Sequence, residues 1–464
     1  MIRYVSTRGG AGERSFEEVL LAGLAEDGGL FVPQEWPRFS AAELRRMRAL
    51  DYPALAACLL EPFTEGCFTR EDLERLARRA YGQFDHAAVA PLTQLGPDDW
   101  MLELFHGPTL AFKDFAMQLL AGMFDEVLAR RGEEITIVGA TSGDTGAAAV
   151  HAFAGKRQVR IAMLHPRGRV SLVQRRQMTT VEADNVLNVA LEGTFDDCQD
   201  LVKAMFNDAA FRGEMRLSAV NSINWARVMA QSVYYVWAAL RLGGPDRPVA
   251  FCVPTGNFGN VFAGRVASRM GLPVDKLIVA TNENDILARF FESGAYRRGG
   301  VVPTTSPSMD IQSASNFERL LLELEDGSAE RTRARMQGFQ QSGGFAVEEP
   351  VLAQARHLFD GGAADQKAVA GAIARTLGDT GQLVDPHTGV GLAVAAARRP
   401  EPGVPLVTLS TAHPAKFPEA VEAATGRVPR LPERYADLME REERCIDLAN
   451  DLAAVQGAVR EAFA

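Results

Sequence analysis

The 464-residue sequence predicts an α/β protein with two open, mostly parallel sheets, preceded by a mainly helical N-terminal region. Three observations carry this reading. From about Trp100 onward, short apolar runs recur at Met101–Phe105, Ile135–Gly139, Val159–Leu164, Val186–Leu191, Val249–Pro254, Leu277–Thr281 and Pro405–Leu409. Between many of them lie segments with helical periodicity, such as Phe115–Arg130, Trp225–Leu240 and Phe258–Met270. Strands that alternate with helices imply parallel sheets covered on both faces, and this span is long enough for two such lobes. Finally, the N-terminal stretch before that point reads mostly as helix.

In that stretch the spacing predicts helices over Phe16–Ala25, Ala41–Leu50 and Glu71–Tyr81, the last with Leu73, Leu76 and Ala80 on one face. Asp27-Gly28-Gly29 reads as a turn, and Pro33 and Pro37 break the pattern before the next helix. Asp326–Gly378 is less regular, and its charged, Gly-containing passage 327–345 reads as a surface excursion. Glu433–Ala464 reads as a charged helix docked through its apolar positions. The division expected is an N-terminal region over 1–92, an α/β core over 93–430 and a helical tail over 431–464.

Composition bounds the function. With 47% hydrophobic and 23% charged residues the chain is an ordinary folded protein and not a disordered one. A net charge of −10, from 49 basic and 59 acidic residues, argues against general binding to nucleic acid or anionic membranes. Five scattered cysteines without a C-x-x-C pair support neither a zinc ribbon nor a disulfide framework, and no metal is expected. The N-terminus carries charges where a signal peptide needs an apolar stretch, and no apolar run reaches the roughly 18 residues of a membrane span. A soluble, cytoplasmic protein is expected.

Two glycine-rich motifs are set aside. GATSGDTG (139–146) lacks the Lys-Ser/Thr ending of a P-loop, and TGVGLA (388–393) lacks the third glycine of a dinucleotide fingerprint. What remains is a set of strand-to-helix junctions, whose backbone amides and positive helix ends suit anions. PTGNFGN (254–260) lets Gly256 and Gly259 bring backbone close to a ligand, with Asn257 and Asn260 as amide donors for a phosphate cradle; a tight turn with an Asn cap is the alternative. ATSGDTG (140–146) offers Thr141, Ser142 and Thr145 to a carboxylate, with Asp144 facing a hydroxyl or cationic group; helix capping is the alternative. FHGPTLAFKDFA (105–116) sets Lys113 among Leu110, Phe112 and Phe115, where lost solvation favours a neutral, nucleophilic amine; a snorkelling lysine is the alternative. A nucleophilic amine, a neutral phosphate cradle and a carboxylate loop together suit a phosphorylated aldehyde cofactor and an amino-acid substrate, with pyridoxal phosphate as the candidate.

These motifs, with STRG (6–9), GLAEDGGLFVP (23–33), NSINWARVMAQ (221–231), ATNENDIL (280–287), DPHTGVG (385–391) and STAHPAKF (410–417), resemble the threonine synthases over nearly the whole chain. Those are pyridoxal-phosphate enzymes of the tryptophan-synthase-β fold, fold type II, and the N-terminal portion is similar to that of the longer bacterial and fungal branch. The resemblance implies a cofactor held in the cleft between two lobes, by a Schiff base to Lys113 and a phosphate loop of Gly256, Asn257, Phe258, Gly259 and Asn260. It implies Thr411 beside the pyridine nitrogen and Asp144 beside the ring hydroxyl. Thr141, Ser142 and Thr145 would hold the substrate carboxylate, and Asn221, Ser222 and Arg227 its phosphate. The implied reaction converts O-phospho-L-homoserine and water to L-threonine and phosphate, in a monomer or homodimer. A threonine or serine dehydratase or a phospholyase of the same fold is the alternative, and a non-catalytic relative a further one. His387 and His413 lie in matching motifs without an assigned role.

Overall fold

The computed structural model describes residues 1–463, which form two compact units. One comprises Met1–His106 and Ser222–Pro429; the other comprises Gly107–Asn221 and Arg430–Ala464.

The first unit is built on a six-stranded sheet in the order Phe359–Ala363, Val274–Thr281, Val249–Pro254, Leu406–Ser410, Asp99–Glu103 and Leu92–Gln94. The first five strands are parallel and the last pairs antiparallel at the edge. All of Val249–Pro254 is buried, which is why the run reads as continuously apolar and not alternating. Parallel pairing gathers the carboxyl ends Ala363, Thr281, Ser410 and Glu103 on one edge, through registers such as Thr281↔Ala363 and Ser410↔Glu103. The N-terminal helices belong to this unit. Ser15–Glu18, Ser40–Glu43 and Thr69–Asp72 form capping boxes that start Phe16–Ala22, Ala41–Met47 and Arg70–Tyr81. A helix the periodicity did not single out, Tyr52–Thr64, starts at the Asp51 cap and carries Pro62. Tyr4, Phe63 and Trp36 pack around Trp225, with ring centroids at 6.1, 5.8 and 5.9 Å. Buried Glu318 accepts hydrogen bonds from Thr7 Oγ1 (2.6 Å) and from Arg8 Nε (2.9 Å) and Nη2 (2.8 Å), tying the chain start to the helix Phe317–Leu324.

The second unit holds a five-stranded, all-parallel sheet in the order Ile446–Leu448, Val186–Leu191, Val159–Pro166, Ile135–Ala140 and Leu217–Ser218. All seven apolar runs named above are strands of these two sheets. No helix among the described residues is long and apolar enough to cross a membrane.

Two expectations need correction. Asp326–Gly378 is not irregular: it holds helices Ala329–Ser342, Glu349–Leu358 and Gln366–Thr380, and the sheet strand Phe359–Ala363. That strand escapes detection because its sequence is FDGGA, with no apolar run. Its glycines answer to packing, since a Cβ on Gly361 would lie 3.1 Å from Ala288 Cα, and one on Gly362 would lie 2.7 Å from Val394 Cγ1. The tail is a helix only over Leu452–Ala462; before it, Ile446–Leu448 adds an edge strand beside Val186–Leu191. Short strands completed by a distant partner leave no periodicity of their own.

Gly362→Ala is expected to lower stability by about 1–3 kcal/mol, because branched Val394 cannot swing aside. Urea unfolding should show a lower midpoint at an unchanged slope.

Candidate active site

In the first unit the chain leaves the Val249–Pro254 strand at Thr255, whose N–H donates to Ala280 O (2.8 Å) and whose hydroxyl donates to Val253 O (2.6 Å). At Gly256 a Cβ would stand 2.5 Å from Ser308 O, so only glycine lets the loop pass. Phe258 takes the left-handed conformation, φ 65°, which costs a non-glycine residue roughly 1–2 kcal/mol. Its ring offsets that cost among Phe291, Phe317 and Phe359, with centroids at 6.4, 5.4 and 5.8 Å. The turn delivers the chain into helix Gly259–Arg269, whose first-turn amides have no intrahelical acceptor. Asn260 Oδ1 accepts from Tyr234 (2.6 Å) and Tyr235 (2.9 Å) hydroxyls. Its Nδ2 is therefore the spare donor, buried and without a partner among the described residues. Asn257 is exposed on the same loop.

Thr411, buried, follows the adjacent strand Leu406–Ser410. Behind the loop, His387 Nδ1 donates to Asp385 Oδ2 (2.7 Å), and its Nε2 accepts from Ser308 N (3.4 Å). This contact steadies the Ser308 segment over Gly256. His413 instead accepts from Ala415 N (3.2 Å) and meets Phe105 edge-on at 5.4 Å, a local turn. The TGVGLA glycines lie in helix Pro386–Ala397, where a Cβ on Gly391 would lie 2.9 Å from Thr408 Cγ2, a helix-to-sheet contact.

NSINWAR opens helix Trp225–Arg241. Asn224 Oδ1 accepts from Ala226 N (3.0 Å) while its Nδ2 donates to Leu20 O (2.9 Å), fixing the helix start. Arg227 is 3% exposed, and its Nε and Nη1 have no partner among the described residues. Burial alone pulls its pKa down to about 10, so it stays charged at neutral pH. An uncompensated buried guanidinium costs several kcal/mol unless an anion joins it. Ser222 Oγ lies 3.3 Å from Ser315 Oγ, and Asn221 is the partly buried last residue of the segment before it.

In the second unit Lys113 begins helix Lys113–Arg131. Its Nζ donates to Asp144 Oδ2 at 3.1 Å and lies 5.0 Å from the Phe112 ring centroid. The apolar residues expected around this lysine are thus joined by a buried carboxylate from the 140–146 loop, which faces the amine. Local sequence hides this because the carboxylate comes from the next strand's junction. Asp144 Oδ1 accepts from Gln174 Nε2 (2.8 Å), a residue the sequence reading passed over. Thr141 Oγ1 accepts from Gly143 N (3.0 Å) and Gly146 N (2.8 Å), so its oxygen serves the turn. Ser142 is exposed and Thr145 half-buried at the start of helix Asp144–Phe153. Among the described residues no group of three or more His, Cys, Asp or Glu could hold a metal.

Comparison with known proteins agrees with this chemistry. A family profile described as "Pyridoxal-phosphate dependent enzyme" matches residues 91–411, and the class is that of fold type II enzymes that use pyridoxal 5′-phosphate. Profiles described as "Threonine synthase N terminus" and "Threonine synthase, C-terminal" match residues 3–81 and 388–459. The threonine synthase of Pseudomonas aeruginosa is 53% identical over 99% of this chain and 98% of its own. The pyridoxal-phosphate-bound threonine synthase structure from Brucella melitensis has a TM-score of 0.98 at 55% identity, over 100% of this chain and 99% of its own. The yeast threonine synthase structure has a TM-score of 0.95 at 38% identity, over 99% of this chain and 98% of its own. The chain belongs to the threonine synthase family.

The residues fit the cofactor. A phosphate needs several fixed, uncharged donors at a helix start, and the loop supplies first-turn amides plus the orphaned Asn260 Nδ2. Gly256→Ala is expected to weaken pyridoxal phosphate about tenfold or more, since its Cβ must displace backbone at Ser308. Titration of the apoprotein, followed by cofactor absorbance, reads this directly.

Proposed function

We propose that this protein converts O-phospho-L-homoserine and water to L-threonine and inorganic phosphate, acting as a carbon–oxygen lyase on a phosphate ester. The observation that carries the reading is a deeply buried guanidinium with two open nitrogens. Asn260 Nδ2 provides for the cofactor's phosphate, yet Arg227 also lies buried with two unpaired nitrogens, at the start of a different helix. A dehydratase has one phosphate to bind, that of its cofactor. A second, cationic site calls for a phosphate on the substrate, and a guanidinium suits it by its fixed fork of donors.

In this reading Lys113 Nζ holds the cofactor's aldehyde carbon, the 256–260 loop its phosphate, and Thr411 the pyridine nitrogen. Asp144 serves the ring hydroxyl side as well as Lys113. Pyridoxal phosphate, when bound, supplies a conjugated ring that takes up the electron pair left at the substrate α-carbon. Lys113 Nζ would remove the α-proton. Asp144, whose other oxygen is held by Gln174, keeps that proton on the amine until it is returned. Thr141, Ser142 and Thr145, with the first-turn amides of helix Asp144–Phe153, hold the carboxylate. Arg227, Ser222 and Asn221 hold the phosphate and take up its growing charge as the Cγ–O bond breaks. Loss of a Cβ proton supplies the electron pair that expels phosphate from Cγ, a proton returned to Cγ completes the methyl group, and water then adds its hydroxyl at Cβ while Cα regains its proton.

We infer the same division of labour as the sequence reading, with residues 1–92 as the N-terminal region, 93–430 as the catalytic core and 431–464 as a tail. We propose the setting that the sequence suggests, a cytoplasmic monomer or homodimer.

Purified, cofactor-loaded protein given O-phospho-L-homoserine should release threonine and phosphate in equal amounts. Phosphate with a keto acid in place of threonine would assign a phospholyase instead. Lys113→Ala should cut turnover at least about a thousandfold while circular dichroism stays native. Arg227→Ala should raise KM roughly a hundredfold, the loss of charged hydrogen bonds to the phosphate. An unchanged KM would remove Arg227 from the site.

A further inference from the structure

Asn316 sits at the cap position of helix Phe317–Leu324, yet its side chain makes no capping bond. Asn at such a position ordinarily turns its oxygen onto the first-turn amides. Here it is fully buried and turned away. Its Nδ2 donates to Asn257 O (3.1 Å) and to Ser222 O (3.2 Å), and its backbone N–H donates to Asn257 O (3.0 Å). One amide thus joins the loop read as the cofactor-phosphate cradle to the segment read as the substrate-phosphate site.

The amide's orientation is set by Arg319, which is also fully buried. Arg319 Nη1 donates to Asn316 Oδ1, which leaves Nδ2 as the donor toward the two carbonyls. Arg319 Nη2 donates to Ile223 O (2.6 Å) and Nε to Phe31 O (3.0 Å). Consecutive carbonyls of the 222–223 segment are therefore tied to consecutive members of one clamp. Unlike Arg227, Arg319 spends its nitrogens on protein acceptors, so it is built in as a brace.

We infer that Asn316 is a positioning residue that couples the two phosphate sites, with Arg319 holding it in register; this rests on the function proposed above. Asn257 lies between the two cradle glycines, and Ser222 precedes the helix that carries Arg227, so each carbonyl the amide grips lies within a few residues of phosphate donors. A movement of either segment is passed to the other through a single amide with two acceptors. Inorganic phosphate arriving near Arg227 therefore steadies the cofactor loop, and the cofactor steadies the phosphate site, by the reciprocity that holds for any linked pair of ligands.

The test uses Asn316→Asp, which keeps an oxygen for Arg319 and removes both donated bonds, and Asn316→Ser as a second variant should the first fail to fold. Apoprotein is titrated with pyridoxal phosphate, and holoprotein with inorganic phosphate, while the ³¹P resonance of the bound cofactor is followed. Wild-type protein should show that resonance shifting as phosphate binds. The variants should bind each ligand about tenfold more weakly and show no such shift, at native circular dichroism. Affinities within about twofold of wild type, or a preserved shift, overturn the clamp while leaving the function intact. Wild-type holoprotein that fails to bind phosphate, and Arg227→Ala that behaves identically, overturn the substrate-phosphate reading and the coupling with it.

Discussion

Parallel strand pairing is the constraint on which the rest depends. Because each strand of a parallel sheet is re-entered from the same side, every carboxyl end falls on one edge, and each is followed by a junction that opens a helix. Pro254, Thr281, Ala363, Ser410 and Glu103 end strands in this way in the six-stranded sheet. The junctions at 255–260 and 411–413 thus become neighbours although about 150 residues separate them, by virtue of the pairing of Leu406–Ser410 with Val249–Pro254. The 141–146 junction has the same origin in the five-stranded sheet, after Ile135–Ala140.

Within that frame, buried polar groups are either paired by the protein or left open. A folded interior satisfies most buried donors, because each orphan costs about 1–3 kcal/mol, and a charge costs more. The first unit shows both practices side by side. Arg319 gives its nitrogens to Phe31 O, Ile223 O and Asn316 Oδ1 and serves as structure. Arg227, equally buried, leaves Nε and Nη1 open. Residue type and burial are alike in the two, so the difference lies in how the backbone is arranged around each.

The second unit shows a related economy. Lys113 and Asp144 neutralise one another in a site where either alone would be costly, and Gln174 fixes the carboxylate's other oxygen. In the role proposed for it, this amine gains a fixed neighbour that holds it in place. Lys113 begins its helix beside Phe112, which offers an apolar wall but no acceptor. The acceptor had to come from a separate strand-to-helix junction.

The sequence by itself determined the alternation of strands and helices, the seven strongly apolar strands, the capped N-terminal helices and the glycine loops, since each depends on residues close in the chain. Family motifs carried the lysine proposed as catalytic and the loops in the same local way. Only the tertiary structure decided that FDGGA is a sheet strand, that Ile446–Leu448 completes the other sheet, and that Asp144 and Gln174 stand behind Lys113. It also decided that Asn316, at the cap position of helix Phe317–Leu324, turns to Asn257 and Ser222. The physical reason is common to all four: a hydrogen bond or a close packing contact between residues far apart in the chain leaves no periodicity. Its partner is chosen by the fold, and neither residue's neighbours in sequence carry the signal.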